Sequence, residues 1–203
     1  MIITISRQFG SGGRELGKRL ADALGLEYYD REIITEIAKS SSLDESYVNK
    51  VLEKGGFANF SFSFAHTIPL TANTPNTVTD VLVAQQKVIQ SIAKKGDCVI
   101  VGRSADVFAA PYHPVKLFVY ADRASKIKRC RERAEEGESF TDKQLIKSFK
   151  TIDKGRAKLH DLFSSIPWGE KDGYDLMINT SNMDIKKIVP RLADLVTDLS
   201  YSQ

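Results

Sequence analysis

Gly10, Gly12, Gly13, Arg7 and Arg14 stand together in the run Ser6-Arg7-Gln8-Phe9-Gly10-Ser11-Gly12-Gly13-Arg14-Glu15. That mixture suits an anion, and a phosphate above all. Glycines let a backbone approach a ligand with no Cβ in the way, and a guanidinium can grip two phosphate oxygens at once. The apolar run Met1-Ile2-Ile3-Thr4-Ile5 precedes the stretch. An amphipathic pattern follows it, with Leu16, Leu20, Ala21, Ala23 and Leu24 apolar. A strand, a glycine-rich turn and a helix start form a cradle whose backbone N–H groups converge, with the helix dipole adding positive potential. Gly10, Ser11, Gly12, Gly13, Arg14 and Glu15 are therefore the expected phosphate-binding residues.

The run departs from the common phosphate-loop pattern G-x-x-x-x-G-K-[ST]. With Gly12 as the second glycine, Arg7 stands where the first would be, Gly13 where the lysine would be, and Arg14 where the Ser/Thr would be. Arg14, one residue past the missing lysine, is expected to supply the lost charge. Glu15 could face away, cap a backbone N–H, or approach a magnesium ion. A glycine-rich turn of no special function is the bland alternative.

Further cations stand at other strand ends. Arg103 follows the apolar run Cys98-Val99-Ile100-Val101 and Gly102. It would either clamp an acceptor phosphate or pair with a carboxylate such as Asp106 or Asp30, because a guanidinium there needs an anion. Asp30-Arg31 follows the second apolar run. Asp153-Lys154-Gly155-Arg156 lies on a charged helix, where mobile cations could close over a transferring phosphoryl group and exclude water. His160 lies one turn further along and shares the face of Arg156, as either a surface histidine or a functional one. Arg129, Arg131 and Arg133 would be either a solvated helix face, as charge runs usually are, or part of the phosphate-directed cations.

The elements that must position these groups alternate short apolar runs with helical periods. Strands are predicted over Ile2–Ile5, Leu26–Tyr29, Asp97–Val101, Val115–Tyr120 and Asp175–Asn179. Helices are predicted over Arg14–Leu24, Arg31–Lys39 (with Asp30 as N-cap), Asp44–Glu53, Val78–Lys95, Ser125–Glu136, Thr141–His160 and Asp184–Leu199. Asp122 is expected to cap the helix after the fourth strand. This is an α/β fold, a doubly wound five-stranded parallel sheet, whose ligands bind beyond the strands' carboxyl ends. Residues 1–203 are expected to form a single domain, with room for an acceptor-binding insertion at 40–80 and a lid at 130–160. The aromatic stretch 57–64 would suit a binding loop, a packing flap or a homodimer contact.

The chain has 203 residues and a net charge of +3. Length allows one good core. The mild charge argues against a nucleic-acid partner while suiting one basic cleft. Cys98 and Cys130 fit no common metal spacing, so no metal is assigned to protein ligands, and free thiols suit a reducing compartment. No apolar run approaches the ~20 residues of a membrane span. The N-terminus shows no signal-peptide features, so the cytoplasm is the expected location and no membrane partner is expected.

Together these segments resemble the cytidylate kinase-like family of P-loop nucleotide kinases. The carriers are Ile5–Glu15, Tyr28-Tyr29-Asp30-Arg31-Glu32-Ile33-Ile34, Val101-Gly102-Arg103-Ser104-Ala105-Asp106, Asp153-Lys154-x-Arg156, Trp168-Gly169 and Asp175-Leu176-x-Ile178-Asn179-Thr180. The resemblance implies the P-loop nucleoside monophosphate kinase fold. It implies ATP with Mg²⁺ bridging the β- and γ-phosphates, and CMP or dCMP as acceptor. It implies Arg14, Arg103 and Arg156 as catalytic groups, and Asp30, Arg31, Arg103, Asp106 and Lys154 as substrate contacts. Loss of the lysine leaves two alternatives: a nucleotide-binding regulatory protein without phosphotransfer, or a kinase of another small molecule.

Overall fold

The computed structural model describes residues 1–41, 43–53, 78–134 and 140–201. Five parallel strands form one sheet: β1 (Ile2–Arg7), β2 (Glu27–Tyr29), β3 (Cys98–Val101), β4 (Val115–Tyr120) and β5 (Leu176–Asn179), in the order β2-β3-β1-β4-β5. The helices are α1 (Gly13–Leu24), α2 (Glu32–Ser41), α3 (Glu45–Glu53), α4 (Val78–Lys95), α5 (Ala105–Phe108), α6 (Arg123–Glu132), α7 (Asp142–Asp161) and α8 (Ile185–Tyr201). A parallel sheet needs both faces covered, and strand alternation divides the core accordingly. Cys98 and Ile100 of β3 pack with α2, α3, α4 and α5. Val99 and Val101 pack with Ile3, Ile5, Val115, Leu117 and Val119 against α1 and α8. The chain leaves β1 toward β3 and β2 on one side and returns to β4 and β5 on the other. The carboxyl end of β1 is thus the topological switch point, where such sheets bind ligands.

Three expectations need correction. β1 runs two residues further than expected, because β4 offers Phe118 and Val119 as partners to Ser6 and Arg7. Arg7 is therefore a strand residue, not part of a turn. Asp30 does not cap α2: its carboxylate takes Arg14 and Arg7 as partners instead. The helix α6 ends at Glu132, not 136. The Asp122 cap is present, accepting from the Ser125 amide at 2.7 Å. The stretch 57–64 and most of the expected insertion lie outside the described residues.

Helix α7 begins with a reciprocal cap. The Thr141 hydroxyl accepts from the Gln144 amide at 3.3 Å, and the Gln144 side chain accepts from the Thr141 amide at 2.8 Å. Thr141→Ala should lose about 1 kcal/mol in urea unfolding. It should weaken nucleotide binding only modestly, since α7 carries its functional side chains several turns away.

Candidate active site

The turn after β1 has a backbone that ordinary side chains disfavour. Gly10 and Gly12 have φ values of 76° and 83°, in the left-handed region glycine enters freely. A Cβ on Gly10 would also press on Lys126 Cβ at 3.2 Å and Cys130 Sγ at 3.3 Å. Gly12 begins α1 with no side-chain cap, so the N–H groups of the first turn lack intrahelical acceptors. The loop's carbonyls, by contrast, are engaged. Gln8 O accepts the Ser11 hydroxyl at 2.8 Å, Gly12 O accepts Leu16 N at 2.9 Å, and Ser11 O accepts the Thr180 hydroxyl at 2.6 Å and Arg129 at 3.3 Å. With these carbonyls engaged, and the Gly13 amide held by the Ser11 hydroxyl at a long 3.4 Å, the start of α1 presents its positive end to an anion.

Helix α6 backs this loop with one face. Lys126 donates to the Gln8 side chain at 3.0 Å, and Arg129 spans Ser11 and Thr180. Burial lowers the pKa of both cations. Arg133 reaches Glu15, which also binds Arg19 at 2.9 Å. Glu15 thus turns away from the loop and ties α1 to α6. A cavity of about 410 Å³ lies over the loop, lined by Gly10, Gly12, Gly13, Arg129, Cys130 and Arg133 among others. Arg131 pairs with Asp142 on the outside.

A second cavity, of about 340 Å³, opens beside the first. Arg31, Gly102, Arg103, Ser104, His160 and Trp168 line it. The two cavities share Arg7, Phe9, Arg14, Ile152 and Arg156. Arg7 is 8 % exposed, and burial, with the charge of Arg156, holds its pKa well below the ordinary arginine value against the pull of Asp30. The Arg14 Nε lies 2.5 Å from Asp30 Oδ2, with the Arg14 side chain 45 % exposed. Arg156 donates to the Arg7 carbonyl at 2.9 Å and lies 3.4 Å from Asp153. Asp153 in turn accepts from the Phe9 amide at 2.7 Å and lies 4.0 Å from Lys126. This carboxylate fixes α7 to the loop. Burial raises its pKa, against the Phe9 hydrogen bond and the surrounding cations.

Arg103 is buried at a left-handed φ of 61°, and its carbonyl accepts from Gln85 at 3.0 Å. Asp30 holds Arg14 and Arg7. Asp106 accepts from the Ser6 hydroxyl at 3.3 Å and meets His160 Nε2 at 2.9 Å. Asp106 therefore stands behind the cavity wall and does not line it. Lys154 is exposed and lines neither cavity. Arg14, Arg31, Arg103 and Arg156 do converge.

The residues missed were Lys126, Arg129 and Thr180, together with the buried position of Arg7. Lys126, Arg129 and Arg133 recur at helical spacing on one side of α6, and that periodicity could have separated them from the solvated Arg131.

His160 is sandwiched by carboxylates, with Nδ1 3.2 Å from Asp161 and Nε2 2.9 Å from Asp106. Burial alone would lower its pKa, but the hydrogen bonds and charges of Asp106 and Asp161 outweigh burial and raise it. A raised folded pKa stabilises most below the unfolded value of ~6.5, and the contribution fades as pH climbs through the folded value. The stability gap between wild type and His160→Gln should therefore be wider at pH 6 than at pH 9 by urea unfolding. An equal gap at both pH values would refute the charged pairing.

Comparison with known proteins places this geometry in a class. The sequence profile of the cytidylate kinase-like family matches residues 2–182, and the chain belongs to that family. A cytidylate kinase of Thermosipho melanesiensis is 26% identical over 97% of this chain and 96% of its own. A cytidylate kinase of Saccharolobus islandicus is 24% identical over 100% and 94%. Among solved structures, an uncharacterized protein from Eubacterium ventriosum superposes with a TM-score of 0.68 at 23% identity, covering 97% of this chain and 98% of that one. Shikimate kinase from Bacteroides thetaiotaomicron gives 0.58 at 16%, over 97% and 98%. The fold is that of P-loop-type kinases. Membership of this family makes the chain a phosphotransferase with ATP as phosphate donor. Among the described residues, no helix is long and apolar enough to cross a membrane.

Proposed function

We propose that this protein transfers the γ-phosphate of ATP to a nucleoside monophosphate, CMP or dCMP. One observation carries the reading: a cradle-side cavity and an arginine-lined cavity meet at shared cations, Arg7, Arg14 and Arg156. Phosphoryl transfer needs a donor and an acceptor phosphate brought into line, with charge neutralised where they meet. The identity of the relatives supports the acceptor. ATP phosphates lie on Gly10–Arg14 in this reading. Mg²⁺ would neutralise charge on the nucleotide phosphates, being held largely by the nucleotide, as that ion commonly is with few protein ligands. Arg103 and Arg31 hold the acceptor phosphate, and Arg156 covers the transferring group. An acceptor phosphate is already ionised at neutral pH, so no strong general base is required.

The test is incubation with ATP, Mg²⁺ and a panel of nucleoside monophosphates, with diphosphate formation followed by chromatography. Turnover strongest with CMP or dCMP is expected. ATP binding without turnover of any acceptor would replace this reading with a regulatory nucleotide-binding role. Turnover confined to a non-nucleotide acceptor would replace it with another small-molecule kinase.

A further inference from the structure

We propose that Arg7, from the end of β1, grips the donor phosphates in place of the lysine that position 13 lacks. This rests on the phosphotransfer reading above and names the residue that makes the altered loop work.

The first argument is steric. A Cβ at position 13 would sit 2.7 Å from Arg7 Cβ, 3.1 Å from Arg7 Cγ and 3.2 Å from Val119 Cβ. Real Cβ atoms do not approach that closely. A side chain at position 13 and the stem of Arg7 therefore compete for the same space, and only one can be present. The two departures from the common loop pattern, arginine for the first glycine and glycine for the lysine, are one exchange. It moves the cation's root from the helix to the strand.

The second argument is the seat at the far end. Gly102 closes β3 at a φ of 76°, and a Cβ built on it would fall inside the Arg7 guanidinium. The absence of a side chain at 102 leaves the space the guanidinium occupies. Gly13 at one end and Gly102 at the other thus form a channel fitted to this one arginine.

The third argument is what surrounds the charge. Arg7 lines both cavities. Its Nη2 lies 3.7 Å from Asp30 Oδ1, beyond hydrogen-bond range, and that oxygen has no hydrogen-bond partner among the described residues. Arg14 takes the close contact with the other oxygen, 2.5 Å away, and is much more exposed. A buried guanidinium next to Arg156 and Arg103 with one loosely placed carboxylate is a position that a second anion would stabilise. Its lowered pKa has the same origin. Arg14 is the cation expected from spacing alone, but it sits on the outer rim with its charge largely answered.

Five variants test this: Arg7→Gly, Arg7→Lys, Gly13→Lys, the exchange Arg7→Gly/Gly13→Lys, and Arg14→Met. Each is measured for folding by circular dichroism, for binding of the non-hydrolysable analogue β,γ-imido-ATP with Mg²⁺ by calorimetry, and for turnover with the preferred acceptor. Arg7→Gly should weaken analogue binding at least ~10-fold and slow turnover ~10²–10³-fold, the scale of losing a phosphate-directed cation. Gly13→Lys alone should also fail, because the two side chains collide. The exchange should bind and turn over better than either of its single variants, approaching wild type within roughly tenfold. Arg7→Lys should bind better than Arg7→Gly. Arg14→Met should lose less analogue affinity than Arg7→Gly. A folded exchange variant no better than Arg7→Gly would overturn the proposal, as would Arg7→Gly binding the analogue as wild type does. If wild type turned over no acceptor, the proposed function would fall while the calorimetric comparison still decided the role of Arg7.

Discussion

Arg156→Met should slow turnover by ~10²–10³-fold while leaving the protein folded. Arg156 projects from the C-terminal half of α7 into the seam between the two cavities. Among the described residues, the Arg7 carbonyl at 2.9 Å, Asp153 at 3.4 Å and the Phe9 ring, whose centroid lies 5.9 Å from the guanidinium carbon, help hold it there. A cation so fixed needs little reorganisation when charge develops on a phosphoryl group in transit, and that is where a preorganised group acts most strongly. The loss should therefore fall mainly on kcat, with a smaller change in KM for either substrate. Arg156→Lys should recover only part of the rate, because an ammonium on a flexible stem cannot reproduce a planar fork. A large rise in KM with kcat unchanged would assign Arg156 to binding alone.

Asp30→Asn should be the most destabilising conservative change at the site. Asp30 is 3 % exposed and answers the charge of both Arg7 and Arg14. Removing one partner of a buried ion pair leaves the other charge uncompensated. Arg14 is exposed enough for water to screen it, so the penalty centres on Arg7 and amounts to about 2–4 kcal/mol. For a chain of this length that lowers the melting temperature by roughly 5–15 °C. The variant should regain part of the loss in millimolar pyrophosphate, by a larger increment than wild type gains, because an anion can take the carboxylate's place. A melting temperature within a degree of wild type would show that Asp30 does not compensate Arg7.

Much of this was legible in the residues. The order of elements, the five strands and the edge on which ligands gather follow from apolar periodicity, because a doubly covered parallel sheet demands it. Asp122 as a cap was readable for the same local reason. Asp30 was not, although it is equally well placed by sequence to cap a helix. Its preference for two arginines depends on side chains from α1 and β1 that only the tertiary fold brings near. The function of α6 was missed because its face toward the loop is as charged as its face toward water. Composition could not separate Arg129 from Arg131, whereas contacts with Ser11 and Thr180 do. Arg7 shows the limit most clearly. Alignment to a motif marks it as an intrusion. The space above Gly13 and Gly102 shows what that intrusion accomplishes, and no spacing rule contains that space.

The central claim is that donor and acceptor phosphates meet at the shared seam of two cavities. A bisubstrate compound tests it most directly: adenosine and cytidine joined through five phosphates, with its affinity measured by calorimetry beside those of ADP and CMP. The account predicts that the joined molecule binds at least ~10²-fold tighter than either nucleotide, because the second half binds without a further loss of translational freedom. It also predicts that CMP no longer binds once the compound is in place. Affinity no better than that of ADP, with CMP still binding to the complex, would show that the two cavities do not form one transfer site.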